Sequence, residues 1–283
     1  MEESGEIMMD KQNPGMLPDV PAHLLKDIMK RQIRANVVST VAGVVAGIED
    51  MECEAAALGL TAKVRISAGS EISPGVEVAS FFGNPLQIVR GEDFLLGMIS
   101  KASGIATAAR KAVSLAGRVQ VVSGGWKKVP REMKSYVRKG LLTGGVAIRM
   151  LPDPFVYLDK NYLRIFGSLE AEMHAAHAFP ERRVVVQLRG ETAEIGKEAV
   201  LAARLGAAVV MVDTGSVEDL RRCSQMLLKT GLRGKVSLAY GGGVQLDDLQ
   251  GLQNEDVDIV DVGRALLDAP LLDFRYDVEL FRT

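Results

Sequence analysis

The chain has 283 residues, of which 47% are apolar and 25% charged, and its formal net charge is -2. That length supports one or two domains with a large core, and the balance is that of a folded globular protein rather than a disordered or membrane-embedded one. A near-neutral charge excludes the global basic field that would draw nucleic acid or an anionic membrane surface, though a local cluster can still hold a small polyanion.

Residues 1–20, "MEESGEIMMDKQNPGMLPDV", are acidic and broken by Pro14 and Pro18. They lack the basic and apolar regions of a signal peptide and are expected to be disordered. Residues 21–117 read as a small α+β domain: short β-rich runs such as Lys63 to Ile66 and Val76 to Ala79 are punctuated by Gly69, Pro74-Gly75 and Gly83-Asn84-Pro85. The most apolar window, Val37 to Ile48, is about 12 residues long, against roughly 20 for a membrane span. Gly91 to Arg118 carries Phe94, Leu95, Met98 and Ile99 at helical spacing, so one or two helices are expected to link the halves. Cys53 and Cys223 match no metal spacing, which fits reduced thiols in a cytoplasm.

Over residues 118–270, apolar runs alternate with helical stretches. The runs begin at Val119, Gly145, Phe155, Arg183, Ala207, Lys235 and Asp258, and the later helices are each closed by a glycine. Apolar strands alternating with helices imply a parallel sheet covered on both faces, and six or seven of them favour a closed or nearly closed α/β barrel over an open doubly wound sheet. Residues 271–283 form a C-terminal segment.

In either architecture ligands bind at the C-terminal ends of the strands. Those ends offer Trp126 and Lys127 in "SGGWKK", Arg149, Asp159 and Lys160, Gln187 and Arg189, Asp213, the triplet Gly241, Gly242 and Gly243, and then Gly263 and Arg264. Glycine loops let backbone N–H groups approach a phosphate, and barrels often place one after their last two strands. The same glycines could simply make tight turns. Asp213 could hold a ribose hydroxyl or Mg2+, or cap the next helix, for which Ser216 is the better candidate. Lys127 and Lys128 read equally as an anion site or as surface charge. Glu170, His174 and His177 share a helix face, which reads as a solvated surface rather than a metal site.

The ordered set "SKASGIAT", "LTGGVAIRM", "VVMVD", the triple glycine and "LLDFRYDV" resembles the quinolinate phosphoribosyltransferase family, also called carboxylating nicotinate-nucleotide pyrophosphorylases, over roughly residues 35–280. The resemblance implies an N-terminal α+β domain and a six-stranded, incomplete TIM-like α/β barrel, with the C-terminal segment packing back on the first domain. It also implies a cytoplasmic homodimer with its active site between one barrel and the partner's N-terminal domain. The implied chemistry is transfer from phosphoribosyl pyrophosphate to a heterocyclic acceptor, with Mg2+ assisting departure of pyrophosphate, in nicotinate mononucleotide formation for NAD biosynthesis. On that pattern Lys127, Lys160 and Asp213 would be catalytic, Asp213 also meeting the Mg2+; Trp126, Arg149 and Gln187 would bind substrate; Gly241, Gly242, Gly243, Gly263 and Arg264 would hold phosphate.

Several positions depart from the family's pattern. Asp93 stands where the family has arginine, Trp126 about where it has another, Ile148 and Tyr162 where it has histidines, Asp159 where it has lysine, and Gln187 where it has glutamate. The surviving groups would hold a ribose phosphate, whereas the lost ones would hold a pyridine dicarboxylate. Losing one partner of a buried charge pair costs about 2–5 kcal/mol. The expectation is therefore a phosphoribosyltransferase with a less anionic aromatic acceptor. The alternative is a non-catalytic relative that binds a nucleotide or phosphorylated metabolite as a sensor or partner.

Overall fold

The computed structural model describes residues 19–279. The disorder expected of residues 1–20 therefore falls outside the described residues up to residue 18. Asp19 already caps a helix that begins at Val20.

The N-terminal half runs α1 (Val20–Leu25), β1 (Ile33–Ser39), β2 (Gly43–Val44), α2 (Ile48–Ala57), β3 (Thr61–Val64), β4 (Glu71–Ile72), β5 (Glu77–Gly83) and α3 (Pro85–Ala116). The C-terminal half runs β6 (Gln120–Val122), α4 (Lys134–Gly144), β7 (Phe155–Leu158), α5 (Lys160–Phe166), α6 (Leu169–Ala176) and β8 (Arg183–Leu188). It continues with α7 (Ile195–Arg204), β9 (Ala207–Val212), α8 (Val217–Lys229), β10 (Ser237–Tyr240), α9 (Leu249–Leu252), β11 (Ile259–Asp261), α10 (Arg264–Leu267) and β12 (Phe274–Val278).

The first sheet has the order β12-β1-β5-β3, all antiparallel. Its apolar face, with Ala35, Val37, Val78 and Phe81, packs on Ile88, Leu95 and Ile99 of α3. The last strand of the chain thus completes the first domain's sheet, with Val37 opposite Tyr276.

Helix α3 is one continuous helix of 32 residues, where the apolar spacing suggested one or two starting near Gly91. It starts earlier because Asn84 and Gln87 form a reciprocal cap ahead of Pro85, which satisfies two of the free N–H groups and presets φ at the first turn. Its large residues face the first domain, whereas Ala109, Ala112 and Ala116 face the barrel. The segment "SKASGIAT" joins the two. Lys101 Nζ donates to the carbonyls of Leu267 and Ala269 at 2.7 and 2.8 Å, Ser103 bonds Ala46, and Thr107 Oγ1 accepts from Val44 N–H. A Cβ on Gly104 would stand 2.0 Å from the Pro270 carbonyl oxygen, so only glycine lets the C-terminal segment lie that close.

The second sheet is parallel throughout, in the order β6-β11-β10-β9-β8-β7, as expected of an incomplete barrel. The strand expected from Gly145 shrinks to a single bridge, Ala147 to Val122. It follows Gly145, which closes α4 in a left-handed turn and so consumes the start of the run as a helix cap. The interior is filled by Val122, Val185, Val209, Met211, Ala239 and Ile259, and the outer strand faces pack on the helices.

One buried group conflicts with its surroundings. Glu172 of α6 is fully buried, and neither carboxylate oxygen has a hydrogen-bond partner. Burial first, then Asp159 and Glu198, pushes its carboxyl up to about 7. The folded state therefore holds this proton more tightly than the unfolded chain, so stability from this group is full below about pH 4.5 and is lost as the pH rises to about 7. Glu172→Gln is expected to raise stability at pH 8 by about 2–3 kcal/mol and to change it little at pH 4.5. Melting temperatures of both proteins across that range check this, and equal slopes would refute it.

Candidate active site

The strands of the barrel end on one face, and each delivers a group there. After β6 comes a tight turn, Gly125–Lys128, that carries Trp126 and Lys127. The indole Nε1–H donates to the Ile148 carbonyl at 3.3 Å, and the Arg138 guanidinium of α4 sits 3.8 Å from the ring centroid. One indole face is thus already covered, which leaves the other face or the ring edge for a ligand. Lys127 Nζ lies 4.9 Å from the Tyr157 ring centroid, a cation held against an aromatic face.

Trp126 and Lys127 line a cavity of about 370 Å3, together with Ile148, Arg149, Phe155, Tyr157 and Asp261. Asp261, the last residue of β11, accepts a hydrogen bond from Gly124 N–H at 3.0 Å. Its carboxyl is pushed up, first by burial and then by Asp213, against the pull of the Gly124 N–H, Lys127 and Lys128. The Tyr157 phenol is pushed above its usual range, by burial and then by Asp261, Asp213 and Asp159.

Beside this aromatic chamber lies a polar set on β7, β8 and β9. Gln187 Oε1 accepts from the Lys160 backbone N–H at 2.9 Å, while its Nε2 donates to Asp213 Oδ2. Arg189 also reaches Asp213, at 3.5 Å. Burial raises the Asp213 carboxyl, and Arg189, Lys160 and Lys128 oppose the shift. The adjacent helix is capped by Ser216, which accepts from Asp219 N–H, so Asp213 is not consumed as a cap. Asp159, by contrast, is committed: its carboxylate caps α5 by accepting from Asn161 and Tyr162 N–H. Among the described residues Lys127, Lys128, Arg149 and Lys160 have no carboxylate within 4 Å.

The glycine triplet folds against the loop after β9. Gly241 N–H donates to Val212 O and Gly215 N–H to Gly241 O, while Gly242 and Gly243 have φ of 103° and 97° and are exposed. Gly263 lies beside the Gly125 turn. The side chain of Arg264 is not brought to the cavity: it is 83% exposed, pairs with Asp268 at 2.9 Å and lines a separate depression with Lys111 and Asp247. Glu170, His174 and His177 lie on or next to α6; among the described residues no group of three or more His, Cys, Asp or Glu is arranged to hold a metal ion.

Three residues of the site were missed from sequence. Asp261 had a legible signal, because period-2 alternation in "DIVDVG" puts it on the face of Ile259, which points into the barrel. Tyr157 is placed by the same alternation along β7. Glu198 had no signal in the linear chain. Its buried carboxylate accepts from Gly190 N–H, Thr192 N–H and Oγ1–H, and Ala193 N–H at 2.7–3.2 Å, so it holds the loop that carries Arg189.

The fold and the two domains have counterparts in known proteins. A family profile for the N-terminal domain of quinolinate phosphoribosyl transferase matches residues 19–103, and one for the C-terminal domain matches residues 105–277. The chain belongs to the quinolinate phosphoribosyltransferase family. Family relatives include the nicotinate-nucleotide pyrophosphorylase (carboxylating) of Rattus norvegicus, 32% identical with 73% of this chain and 68% of that one covered. Another is the probable carboxylating nicotinate-nucleotide pyrophosphorylase of Archaeoglobus fulgidus, 28% identical over 87% of this chain and 95% of that one. The NadC crystal structure from Streptococcus pyogenes shares the fold at a TM-score of 0.76 and 19% identity, covering 88% and 86% of the two chains. Among the described residues no helix is long and apolar enough to cross a membrane.

Proposed function

We propose that this member of the quinolinate phosphoribosyltransferase family transfers a phosphoribosyl group to an aromatic heterocycle that carries less negative charge than a pyridine dicarboxylate. The observation that supports it most is the division of the barrel mouth. The aromatic chamber of Trp126, Phe155 and Tyr157 adjoins a polar set of Asp213, Gln187, Arg189 and Lys160, with the glycine loops at its edge. A flat ring suits the first part and a ribose phosphate the second.

In this reading the exposed N–H groups at Gly242 and Gly243 receive the 5'-phosphate, and Asp213 receives ribose hydroxyls. Lys127, Lys160 and Arg149, free of carboxylate partners among the described residues, compensate the charge of the pyrophosphate. The ring nitrogen of the acceptor forms a bond to C1 of the ribose, the C1–O bond to pyrophosphate breaks, and the electron pair leaves with that oxygen. Positioning and charge stabilisation supply the rate.

Mg2+ fits on limited terms. The protein brings a single carboxylate, Asp213, to the polar set, and Mg2+ commonly binds through one or two carboxylates plus substrate phosphates. When bound with the substrate it would neutralise charge on the leaving group. A homodimer belongs to the same proposal: Tyr162, Ile165 and Phe166 form one apolar face of α5 beside the mouth, 48%, 79% and 43% exposed, which a second copy would cover.

A thermal-shift screen with phosphoribosyl pyrophosphate, nicotinate mononucleotide, quinolinate and nicotinate tests the reading, followed by pyrophosphate release over a panel of heterocycles. Stabilisation by the ribosyl phosphates and release with an acceptor less charged than quinolinate is the expected result. Binding without turnover over the whole panel would point instead to a nucleotide-sensing relative, and no binding by any phosphate would end both readings.

A further inference from the structure

The least expected group in the aromatic chamber is its acid. Asp261 stands on the last residue of a buried strand and opens into a cavity whose wall also carries Trp126, Phe155 and Tyr157 and the cations Lys127 and Arg149. One of its oxygens is held by the Gly124 N–H at 3.0 Å. The other has no hydrogen-bond partner among the described residues, yet it is not sealed from the cavity. Asp213, the other acid nearby, does not line this chamber but stands in the polar set with Gln187 and Arg189. The two carboxylates therefore face different parts of a bound substrate.

We infer that Asp261 selects the acceptor: the heterocycle that enters this chamber presents a hydrogen-bond donor, as a carboxamide, an amino group or a ring N–H, to the free oxygen of Asp261. This rests on the phosphoribosyl transfer reading and narrows it. A carboxylate at that position would meet a like charge, whereas an amide N–H completes the unused acceptor. Polar complementarity of this kind discriminates far more strongly than shape, because the wrong ligand leaves a buried group unpaired. The chamber also holds the cations Lys127 and Arg149, which in the transfer reading face the pyrophosphate, so the nucleotide titrations below are made with pyrophosphate present.

The test compares two nucleotides that differ in one group. Nicotinamide mononucleotide and nicotinate mononucleotide share the ring and the ribose phosphate, but one carries a carboxamide and the other a carboxylate. Titration of the wild-type protein is expected to show tighter binding of the carboxamide by about tenfold or more. Asp261→Asn keeps the volume and an oxygen for the Gly124 N–H, and it should remove that preference chiefly by strengthening binding of the carboxylate. Phosphoribosyl pyrophosphate is the control. If it binds while the two nucleotides bind equally, or the carboxylate binds tighter, the inference is wrong and the transfer reading stands. If Asp261→Asn weakens both nucleotides and phosphoribosyl pyrophosphate alike, Asp261 holds ribose and the inference is also wrong. If none of the three binds to the wild type, the transfer reading itself fails.

Discussion

Asp213→Asn is expected to slow pyrophosphate release by about 100- to 1,000-fold while leaving the protein as stable as before or more so. The loss follows from position. Asp213 ends β9 in the middle of the polar set, and its carboxylate is the common partner of Gln187 and Arg189. In the proposed reading an amide there no longer offers full negative charge to ribose hydroxyls or to a metal-bearing leaving group. It can also turn an NH2 toward Gln187 Nε2, so that the Gln187 side chain must release either this contact or the Lys160 N–H. The gain in stability has a separate cause. Burial is the largest influence on this carboxyl and raises it, which means that folding holds the charge against its own hydration. Removing the charge relieves that cost, as is common where a site is built for activity. Single-turnover measurements together with melting temperatures decide the matter. A rate within tenfold of wild type would remove Asp213 from the chemistry, and a large fall in melting temperature would make its role structural.

Gly242→Ala is expected to be the most damaging small substitution in the barrel, costing about 3 kcal/mol or more. Gly242 has a φ of 103°, which an alanine rarely adopts, and a Cβ there would lie 2.3 Å from Gly215 N. The approach is mutual, since a Cβ on Gly215 would stand 2.4 Å from Gly242 O. Both contacts are backbone to backbone, so no rotamer change relieves them. The loops after β9 and β10 must separate, and that separation moves Asp213 on one side and the Gly242 and Gly243 amides on the other. A melting temperature lower by about 10 °C is expected, with weaker binding of phosphoribosyl pyrophosphate. Gly243→Ala is the control, because nothing lies within 4 Å of its Cβ and only the backbone strain remains. Equal effects of the two would mean that strain alone, and not the packing of one loop on the other, shapes the site.

Much of the architecture was legible in the chain because it follows from short-range regularities. Val184 to Val186, Val209 to Val212 and Leu238 to Tyr240 are apolar on both faces, which only a covered parallel sheet tolerates, and the intervening helices carry their own caps. Strand ends then name one or a few residues each without further information, and that reached Trp126, Lys127, Arg149, Lys160, Gln187, Arg189 and Asp213, along with Asp159, which caps a helix, and Arg264, which turns away. Reading the last end two residues further back than Gly263, at the final residue of β11, would have added Asp261.

Charge partners, and which way a side chain leaves the backbone, were not legible in this way. Arg264 follows a glycine at a strand end just as Arg189 follows β8, yet one turns out to Asp268 and the other in to Asp213. The difference lies in what packs around them: α10 gives Arg264 an acid one turn on, whereas Glu198 bends the loop after β8 so that Arg189 faces the mouth. Trp126 shows the same division. The sequence by itself determined that a single indole follows a glycine turn at the end of β6. Only the tertiary structure decided that Arg138 covers one of its faces, because that depends on how α4 turns back over the ring, and that Asp261 shares its chamber, because β11 is distant in the chain and meets it only when the barrel curls. Periodicity and capping act over a few residues and can be read along a line. A site is made by groups that become neighbours when hydrophobic burial folds the line up, and their pairings depend on distances that a linear order does not contain.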